Sequence, residues 1–493
     1  MYDLVIANGR VMDPETLFDS VANVGVLDGQ IATISKDALD GKDTIDATGL
    51  VVAPGFVDGH SHSSNDRFGV KKGLQDGRTT QLDLEAGAWP IDAYYDRMEG
   101  RAQANYGATV GHLLIRDDLF SKIVASTGNL FLEVWKSKGE WSVRTATSDE
   151  VDTIVNLAES GLKAGALGIG TPVGYAVSGV SAYEMNRVWT LAGKYKSFAT
   201  VHGRFSSKAL PTEGVLGIME AIGNARTSGA GLIVHHYHAQ VLSQVSEMAK
   251  IVDDANASGA KFILEVYPYT FGSSIMMADY LHPDNYQNRM GHTYEDITLV
   301  RTMKPLTKEI YEREMRENPG ATILFEHCRE EDMVKALAWP TVCIGSDSVP
   351  YIDSNGSHDE EGVTTVPYDT PDEEAHGHPR SAGSYAKVFR YAREQKIMPL
   401  MTAVSKTSYL LCKFLEDNGV PQMAKKGRIQ VGCDADITIF DPDTIRDNAT
   451  RENGAAASSG IPHVIVNGTP IVRNSTIVEG VYPGRAIRKP IME

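Results

Sequence analysis

Eight short apolar runs, each ending near a polar residue, recur along the middle of this sequence. Amphipathic helical patterns separate several of them, such as residues 148–165, where Ser148 is the expected N-cap. Buried strands that alternate with helices predict a parallel sheet. Eight of them predict an α/β fold built on a TIM-like (β/α)8 barrel. The runs lie at residues 55–62, 79–87, 109–117, 165–173, 197–204, 231–238, 261–270 and 341–348.

The two ends of the chain follow a different pattern. Both read as short strands interrupted by turns, as in "DLVIANGRVM" near the start and "HVIVNGTPIV" near the end. This pattern predicts a small composite β-sandwich domain formed by residues 1–53 together with 424–493. The barrel would then occupy residues 54–423.

Side chains that can bind metal stand at the ends of the predicted strands, where barrel enzymes place their active sites. His60 and His62 are two residues apart, so in a strand both rings point the same way. Taken singly, each histidine is more typical of a hydrogen-bonded structural residue. Imidazole and carboxylate ligands suit Zn²⁺ and other divalent first-row metals, and the set is large enough for one or two ions. The candidate ligands are His60, His62, Glu85, His202, His236 and Asp347.

Asp347 has a second predicted role as the catalytic residue. A carboxylate beside a metal can accept the proton of an attacking water and return it to the leaving group. The sequence therefore predicts hydrolysis of a small molecule.

Charge and composition limit the partners. The formal net charge of -17 over 493 residues argues against nucleic acid and anionic membranes. The chain has no apolar run of about 18 residues and no signal-peptide pattern at its start. Its four cysteines are scattered, which favours a reducing, cytoplasmic location. The expected partner is a small-molecule amide, and a homo-oligomer is allowed.

A series of motifs occurs in one order along the chain: "GFVDGHSH", "GRTT", "GHLLIR", "GALGIGTPVGYAVSG", "VHGR", "EVYPYTFGSS", "IGSDS", "HPR" and "GCDADITIFDP". The chain resembles the N-acyl-D-amino-acid deacylases (D-aminoacylases) of the amidohydrolase superfamily through nearly its whole length. This resemblance implies a zinc-dependent hydrolase that splits a C–N bond other than a peptide bond, releasing a carboxylate and a D-amino acid.

The resemblance also implies roles for single residues. His60 and His62 would bind one metal with Asp347, and His202 and His236 would bind the other. Arg380 and Tyr267 would hold a substrate carboxylate or orient its carbonyl, because an arginine presents a planar fork of donors to a carboxylate. The alternative for Arg380 is a structural salt bridge.

The stretch after the second run departs from the family pattern. A cysteine ligand is usual there, but this chain has Ala86 at that position and Glu85 one residue before it. Glu85 is the expected bridging ligand, with Asp83 as the rival. Because neighbouring side chains in a strand point to opposite faces, Glu85 reaches the site only if the strand bends or bulges.

Two lysines that have roles in related enzymes have no counterpart at the matching positions of this chain. The fourth run ends at Thr171, and Lys163 falls in the preceding helix, so a carboxylated-lysine bridge is disfavoured. In "HHYH", His238 replaces a lysine that helps bind anionic substrates in family members. His238 is a candidate substrate-binding residue, and strand parity places it on the same face as His236.

Other functions remain open. The same metal site suits a linear or cyclic amide such as an imide, a lactam or an isoaspartyl dipeptide. Heterocycle deamination and a non-catalytic role are the more distant alternatives. Between Asp347 and Arg380, the acidic stretch 349–377 is either a solvated loop or a lid over the barrel mouth.

Overall fold

An eight-stranded parallel sheet forms the centre of the computed structural model, which describes residues 1–122, 139–353 and 366–492. Each strand pairs with the next along the chain. The first and last strands meet through Ser61 and Ser348, and the amide of His62 donates to the Ser348 carbonyl at 2.9 Å. The predicted barrel is therefore confirmed. Its strands are β1 Phe56–Asp58, β2 Arg78–Ala88, β3 Asn105–Gly111, β4 Ile169–Thr171, β5 Phe198–Val201, β6 Gly231–Val234, β7 Phe262–Val266 and β8 Val342–Ile344.

Helices link the barrel strands and cover the outside of the sheet. Helix Ser148–Lys163 is capped by Thr147 rather than by the expected Ser148, since Thr147 and Glu150 form a reciprocal capping box. The described α-helices are Arg67–Gln75, Ile91–Met98, His112–Phe120, Glu140–Val143, Ser148–Lys163, Ala182–Lys194, Gly214–Ser228, Tyr237–Val241, Val245–Ala257, Pro283–Tyr286, Lys308–Glu317, Glu330–Ala338, Arg380–Glu394, Leu400–Val404 and Leu410–Asp417, with a π-helical turn at Ser405–Tyr409. Short 3₁₀ turns are Val173–Tyr175, Leu242–Gln244, Asp279–Leu281, Tyr294–Asp296, Asp372–Glu374 and Pro421–Lys425.

Strands from both ends of the chain form one nine-stranded sheet beside the barrel. Strand Val51–Pro54 joins the two halves, pairing in parallel with Tyr2–Asp13 and antiparallel with Ile437–Phe440. The predicted β-rich domain from both termini is thus present, while its boundaries at 53 and 424 stay a prediction. The strands are Tyr2–Asp13, Phe18–Leu27, Gln30–Ser35, Gly41–Asp46, Val51–Pro54, Ile437–Phe440, His463–Val466, Thr469–Arg473 and Thr476–Ile477.

The connection between β7 and β8, residues 267–341, folds into a small antiparallel sheet that the sequence analysis missed. Its strands are Phe271–Ile275, Ile297–Leu299, Lys304–Pro305 and Thr322–Glu326. They are short, and "FGSSI" shows no clear apolar alternation, so they give little periodic signal. We call this segment the insertion.

The acidic stretch 349–377 is described only in part, because residues 354–365 lie outside the described residues. Its described ends contact helix Arg67–Gln75: buried Tyr351 packs edge-on against Phe68, and Lys72 forms an ion pair with Asp372. The predicted lid includes these residues, and the choice between a solvated loop and a lid stays a prediction. Among the described residues, no helix is long and apolar enough to cross a membrane.

Candidate metal centre and substrate cavity

The six predicted ligands converge at the carboxyl-terminal end of the barrel, where βα loops meet. His60 and His62 follow β1, and Glu85 lies within β2. The remaining three follow β5, β6 and β8. All six side chains are buried: His60, His62, Glu85, His202, His236 and Asp347.

Glu85 lies between the two pairs of histidines. Its Oε2 is 3.5 Å from Nε2 of His60 and 3.3 Å from Nε2 of His62. Its Oε1 is 3.0 Å from Nε2 of His236 and 3.5 Å from Nδ1 of His202. Each carboxylate oxygen therefore faces a different histidine pair, which is the arrangement that a bridging carboxylate requires.

A break in strand pairing lets Glu85 reach this position. The register between β2 and β3 shifts between Asp83 and Ala88, and Gly87 has a left-handed φ of 69°. Asp83 supports the turn, since its Oδ1 accepts the amides of Ala86 and Gly87 at 3.1 Å. Its Oδ2 lies 3.2 Å from Nδ1 of His62. The rival carboxylate, Asp83, therefore contacts Nδ1 of His62, whereas Glu85 lies between the two histidine pairs.

Asp347 faces the histidines with one oxygen and an arginine with the other. Oδ1 is 3.3 Å from Nε2 of His60, and Oδ2 is 2.8 Å from Nη1 of Arg380. Burial raises the pKa of Asp347 above its ordinary value, although Arg380 opposes this. The φ of Asp347 is 51° and that of His236 is 32°, a left-handed conformation that costs a non-glycine residue energy and clusters at functional sites.

Glu265, at the end of β7, is a site residue that the sequence analysis did not single out. Its Oε2 lies 2.7 Å from Nδ1 of His60 and 3.0 Å from Nδ1 of His235, and it accepts the amide of His236 at 3.0 Å. Gly345 packs so closely that a Cβ there would lie 2.6 Å from Cδ of Glu265. The signal was present, because Glu265 lies within the seventh apolar run, residues 261–270.

The donor set fits divalent metal ions. Nε2 of His60 and both ring nitrogens of His202 are buried with no hydrogen-bond partner among the described residues. Such atoms are unfavourable unless something binds them. Burial disfavours a charged His60, yet Asp347, Glu85 and Glu265 raise its pKa well above the ordinary value. The same negative field favours cations, and nitrogen with carboxylate oxygen suits zinc and its first-row neighbours.

A narrow cavity opens beside the metal centre. Arg380 lies over the ring of Tyr267, with the guanidinium carbon 4.8 Å from the ring centre. Among the described residues that line the cavity, Arg380 is the only lysine or arginine. Much of the far wall comes from the insertion. The lining residues are Tyr175, His202, Ser206, His236, Ala239, Gln240, Tyr267, Ser273, Tyr280, Met290, Phe325, Asp347 and Arg380.

His238 has a different environment from the one expected. Strand β6 ends at Val234 and a helix begins at Tyr237, so strand parity does not extend to His238 and that expectation was wrong. His238 packs edge-on against Tyr267, with ring centres 4.6 Å apart, and is not among the cavity-lining residues. Burial lowers its pKa to about 4. The ring is therefore neutral and behind Tyr267.

Comparisons with known proteins find relatives that match nearly the whole chain. N-acyl-D-glutamate deacylase from Alcaligenes xylosoxydans xylosoxydans is 26% identical, and the match covers 99% of this chain and 96% of that protein. D-aminoacylase from the same organism is 24% identical, covering 99% and 98%. The chain resembles the N-acyl-D-amino-acid deacylases over its whole length. The resemblance predicted from the motifs is confirmed, although no family model matches the sequence.

Solved structures of such deacylases share the fold. The crystal structure of N-acyl-D-glutamate deacylase from Bordetella bronchiseptica, complexed with zinc and a phosphonate inhibitor, superposes with a TM-score of 0.78 at 22% identity, covering 99% of both chains. A D-aminoacylase crystal structure gives 0.76 at 24% identity with the same coverage. L-hydantoinase from Arthrobacter aurescens gives 0.61 at 16% identity, covering 99% of this chain and 100% of that one.

Proposed function

We propose that this chain is a metal-dependent amidohydrolase that splits N-acyl-D-amino acids into a carboxylate and a D-amino acid. The observation that carries the proposal is the position of Glu85, with one oxygen toward each histidine pair. The whole-length relatives, named as deacylases of acylated D-amino acids, support the substrate class.

The geometry supports a set of metal ligands. His60, His62 and Asp347 would hold one ion, His202 and His236 would hold the second, and Glu85 would bridge them. Zn²⁺ is the expected metal, with other first-row divalent ions as alternatives. When bound, such ions supply Lewis acidity toward the amide carbonyl and the attacking water.

Asp347 is placed to move the proton. Its Oδ1 faces the metal centre, while Arg380 holds Oδ2 and so fixes the carboxylate's orientation. A carboxylate whose pKa is raised by burial is a better base than an exposed one. Asp347 would take a proton from the attacking water and give it to the departing amide nitrogen, with no net proton change at the residue.

Arg380 would bind the substrate carboxylate beside Tyr267. A guanidinium has five N–H donors, and one of them points to Asp347. Nε of Arg380 is buried with no hydrogen-bond partner among the described residues. A substrate carboxylate would satisfy this donor, as a charge-assisted hydrogen bond.

A second candidate is hydrolysis of an amide that lacks a carboxylate. This candidate is favoured by the existing ion pair between Arg380 and Asp347. Arg380 is the one cationic side chain of the described cavity lining, and Asp347 already balances its charge. A cytoplasmic location stays a prediction from the sequence, which also allows a homo-oligomer.

The test measures amine release by the zinc-loaded enzyme from N-acetyl D- and L-amino acids and from the matching carboxamides. Turnover of D-acids, with L-acids and carboxamides much slower, is the expected result. Turnover of carboxamides alone would replace the first candidate with the second. No turnover of any amide by enzyme with its metal verified would refute both.

A further inference from the structure

Three other metal-binding side chains lie together behind Tyr267. His238 follows β6, whereas His327 and Cys328 follow the last strand of the insertion, Thr322–Glu326. One ligand atom from each of the three lies within 4.8 Å of the other two. None of them is among the six ligands of the metal centre described above or among the residues lining its cavity.

The hydrogen bonds of His238 leave one ring nitrogen available. Its Nε2 lies 3.3 Å from the carbonyl of Tyr269, and a carbonyl can only accept, so Nε2 carries the proton. In a neutral ring, Nδ1 then presents a lone pair. This Nδ1 is buried and has no hydrogen-bond partner in the part of the chain that the structure describes.

His327 also has one ring nitrogen without a partner. Its Nε2 lies 3.0 Å from the hydroxyl of Tyr267, and its Nδ1 is buried without a hydrogen-bond partner among the described residues. The ring centres of His238 and His327 are 5.3 Å apart and the rings are nearly perpendicular. Both side chains are at least nine-tenths buried. Each Nδ1 is a buried polar atom without a partner, which is costly unless a ligand binds it.

We propose that His238, His327 and Cys328 form an additional metal site for a thiophilic divalent ion of the Zn²⁺ class. Two imidazoles and a thiolate suit zinc and cobalt, whereas magnesium and calcium prefer oxygen. Binding releases the thiol proton to solvent, and the ion forms one bond to sulfur and one to each ring.

The spacing is close to what such an ion needs. With metal–nitrogen bonds of about 2.0 Å and a metal–sulfur bond of about 2.3 Å, tetrahedral ligand atoms lie roughly 3.3 to 3.7 Å apart. The three ligand atoms, each within 4.8 Å of the other two, therefore need to move closer together to bind an ion.

An ion can reach this site without passing the substrate cavity. Cys328 is partly exposed and lines a separate surface depression together with Tyr269, Glu330 and Lys387. The site would join the insertion to the barrel at the back of Tyr267, a proposed substrate-binding residue. The additional metal site uses residues other than those of the metal centre and does not require the proposed function.

Cobalt distinguishes this site from the metal centre. The six ligands there offer only nitrogen and oxygen, so a cobalt–thiolate charge-transfer absorption reports a cysteine ligand. Co²⁺ is titrated into the full chain after chelation, and absorption and bound metal are followed together. We expect the thiolate band in the wild type, its loss in Cys328→Ser, and its weakening in His327→Ala.

Cys343→Ser is the matched control, because Cys343 is buried in β8 away from the three ligands and its loss should leave the band intact. Circular dichroism checks that each variant is folded. A wild type with no thiolate band under cobalt saturation overturns the proposal, and so does a band that persists in Cys328→Ser. The wild-type titration tests the proposed site even if a variant fails to fold.

Discussion

Oε2 of Glu265 lies 2.7 Å from Nδ1 of His60, the ring nitrogen that faces away from the metal centre. This contact fixes Nδ1 as the protonated nitrogen and leaves Nε2 for a metal. Carboxylates in this position orient metal-binding histidines and raise their basicity.

Glu265→Gln should therefore weaken metal binding without removing a ligand. Loss of such an orienting carboxylate typically costs 10- to 100-fold in metal affinity or activity, and we expect about that range. Zinc affinity, measured by competition with a chelator, is the direct readout. Glu247→Gln, at an exposed position, is the control and should match the wild type. Unchanged zinc affinity in Glu265→Gln would contradict the assigned role.

Glu85→Ala should abolish the two-ion arrangement. With no carboxylate between them, the histidine pairs lose the shared ligand that balances two cations, and we expect the bound metal to fall toward one ion per chain. Metal content by mass spectrometry and amide hydrolysis are measured on the same samples. Glu85→Asp keeps the charge with a shorter reach and should fall between the wild type and Glu85→Ala. Full metal content and full activity in Glu85→Ala would exclude a bridge.

Arg380→Met should act chiefly on substrates that carry a carboxylate. A hydrogen bond to a charged group contributes about 1.5 to 3 kcal/mol, which corresponds to roughly 10- to 100-fold in KM. The same substitution also frees Oδ2 of Asp347, so kcat is expected to fall for every substrate. The KM effect should be confined to N-acyl amino acids and absent for their carboxamides. An equal KM change for both would assign Arg380 to positioning Asp347 alone.

The barrel could be predicted because its strands are buried on both faces. They therefore appear as continuous apolar runs, and all eight runs contain or overlap a barrel strand. The insertion could not be predicted in this way, since its strands are short and its contacts connect residues far apart in the sequence. It supplies Tyr280 and Phe325 to the cavity, so the predicted site lacked one wall.

The metal centre was predictable in its residues but not in its geometry. One rule, that functional side chains stand at strand ends, places five of the six ligands, and it points to Glu265 one residue before the end of β7, whereas Glu85 lies within β2. Which oxygen faces which ring depends on the bulge after Asp83. The position of His238 depends on the left-handed φ of His236, which sequence spacing does not reveal.

Lys406 gives a pH prediction away from the site. It lies in the π-helical turn Ser405–Tyr409, buried, and donates to the carbonyl of Trp339. Burial lowers its pKa to about 7. Between that value and an unfolded pKa of about 10.4, the unfolded chain binds more protons, so this residue adds stability as pH rises. Relative to Lys406→Met, the wild type should gain about 2 kcal/mol from pH 7 to pH 9.

Urea unfolding at the two pH values measures this difference. Lys250→Met, at an exposed lysine, should show the same difference from the wild type at both. A pH-independent gap between wild type and Lys406→Met would mean that Lys406 stays charged when buried.

The cavity lining predicts a preference for neutral D-amino-acid side chains. With Arg380 engaged by the α-carboxylate, the other described lining residues offer no lysine or arginine to a second carboxylate. A buried, unpaired charge costs several kcal/mol, so N-acetyl-D-glutamate should have a kcat/KM at least about 100-fold below that of N-acetyl-D-methionine. Met290→Lys adds a long cationic side chain to the lining and should narrow this ratio. Met219→Lys, on an exposed helix face, should leave it unchanged. Faster turnover of the glutamate substrate by the wild type would show that the cavity holds a cationic partner for it.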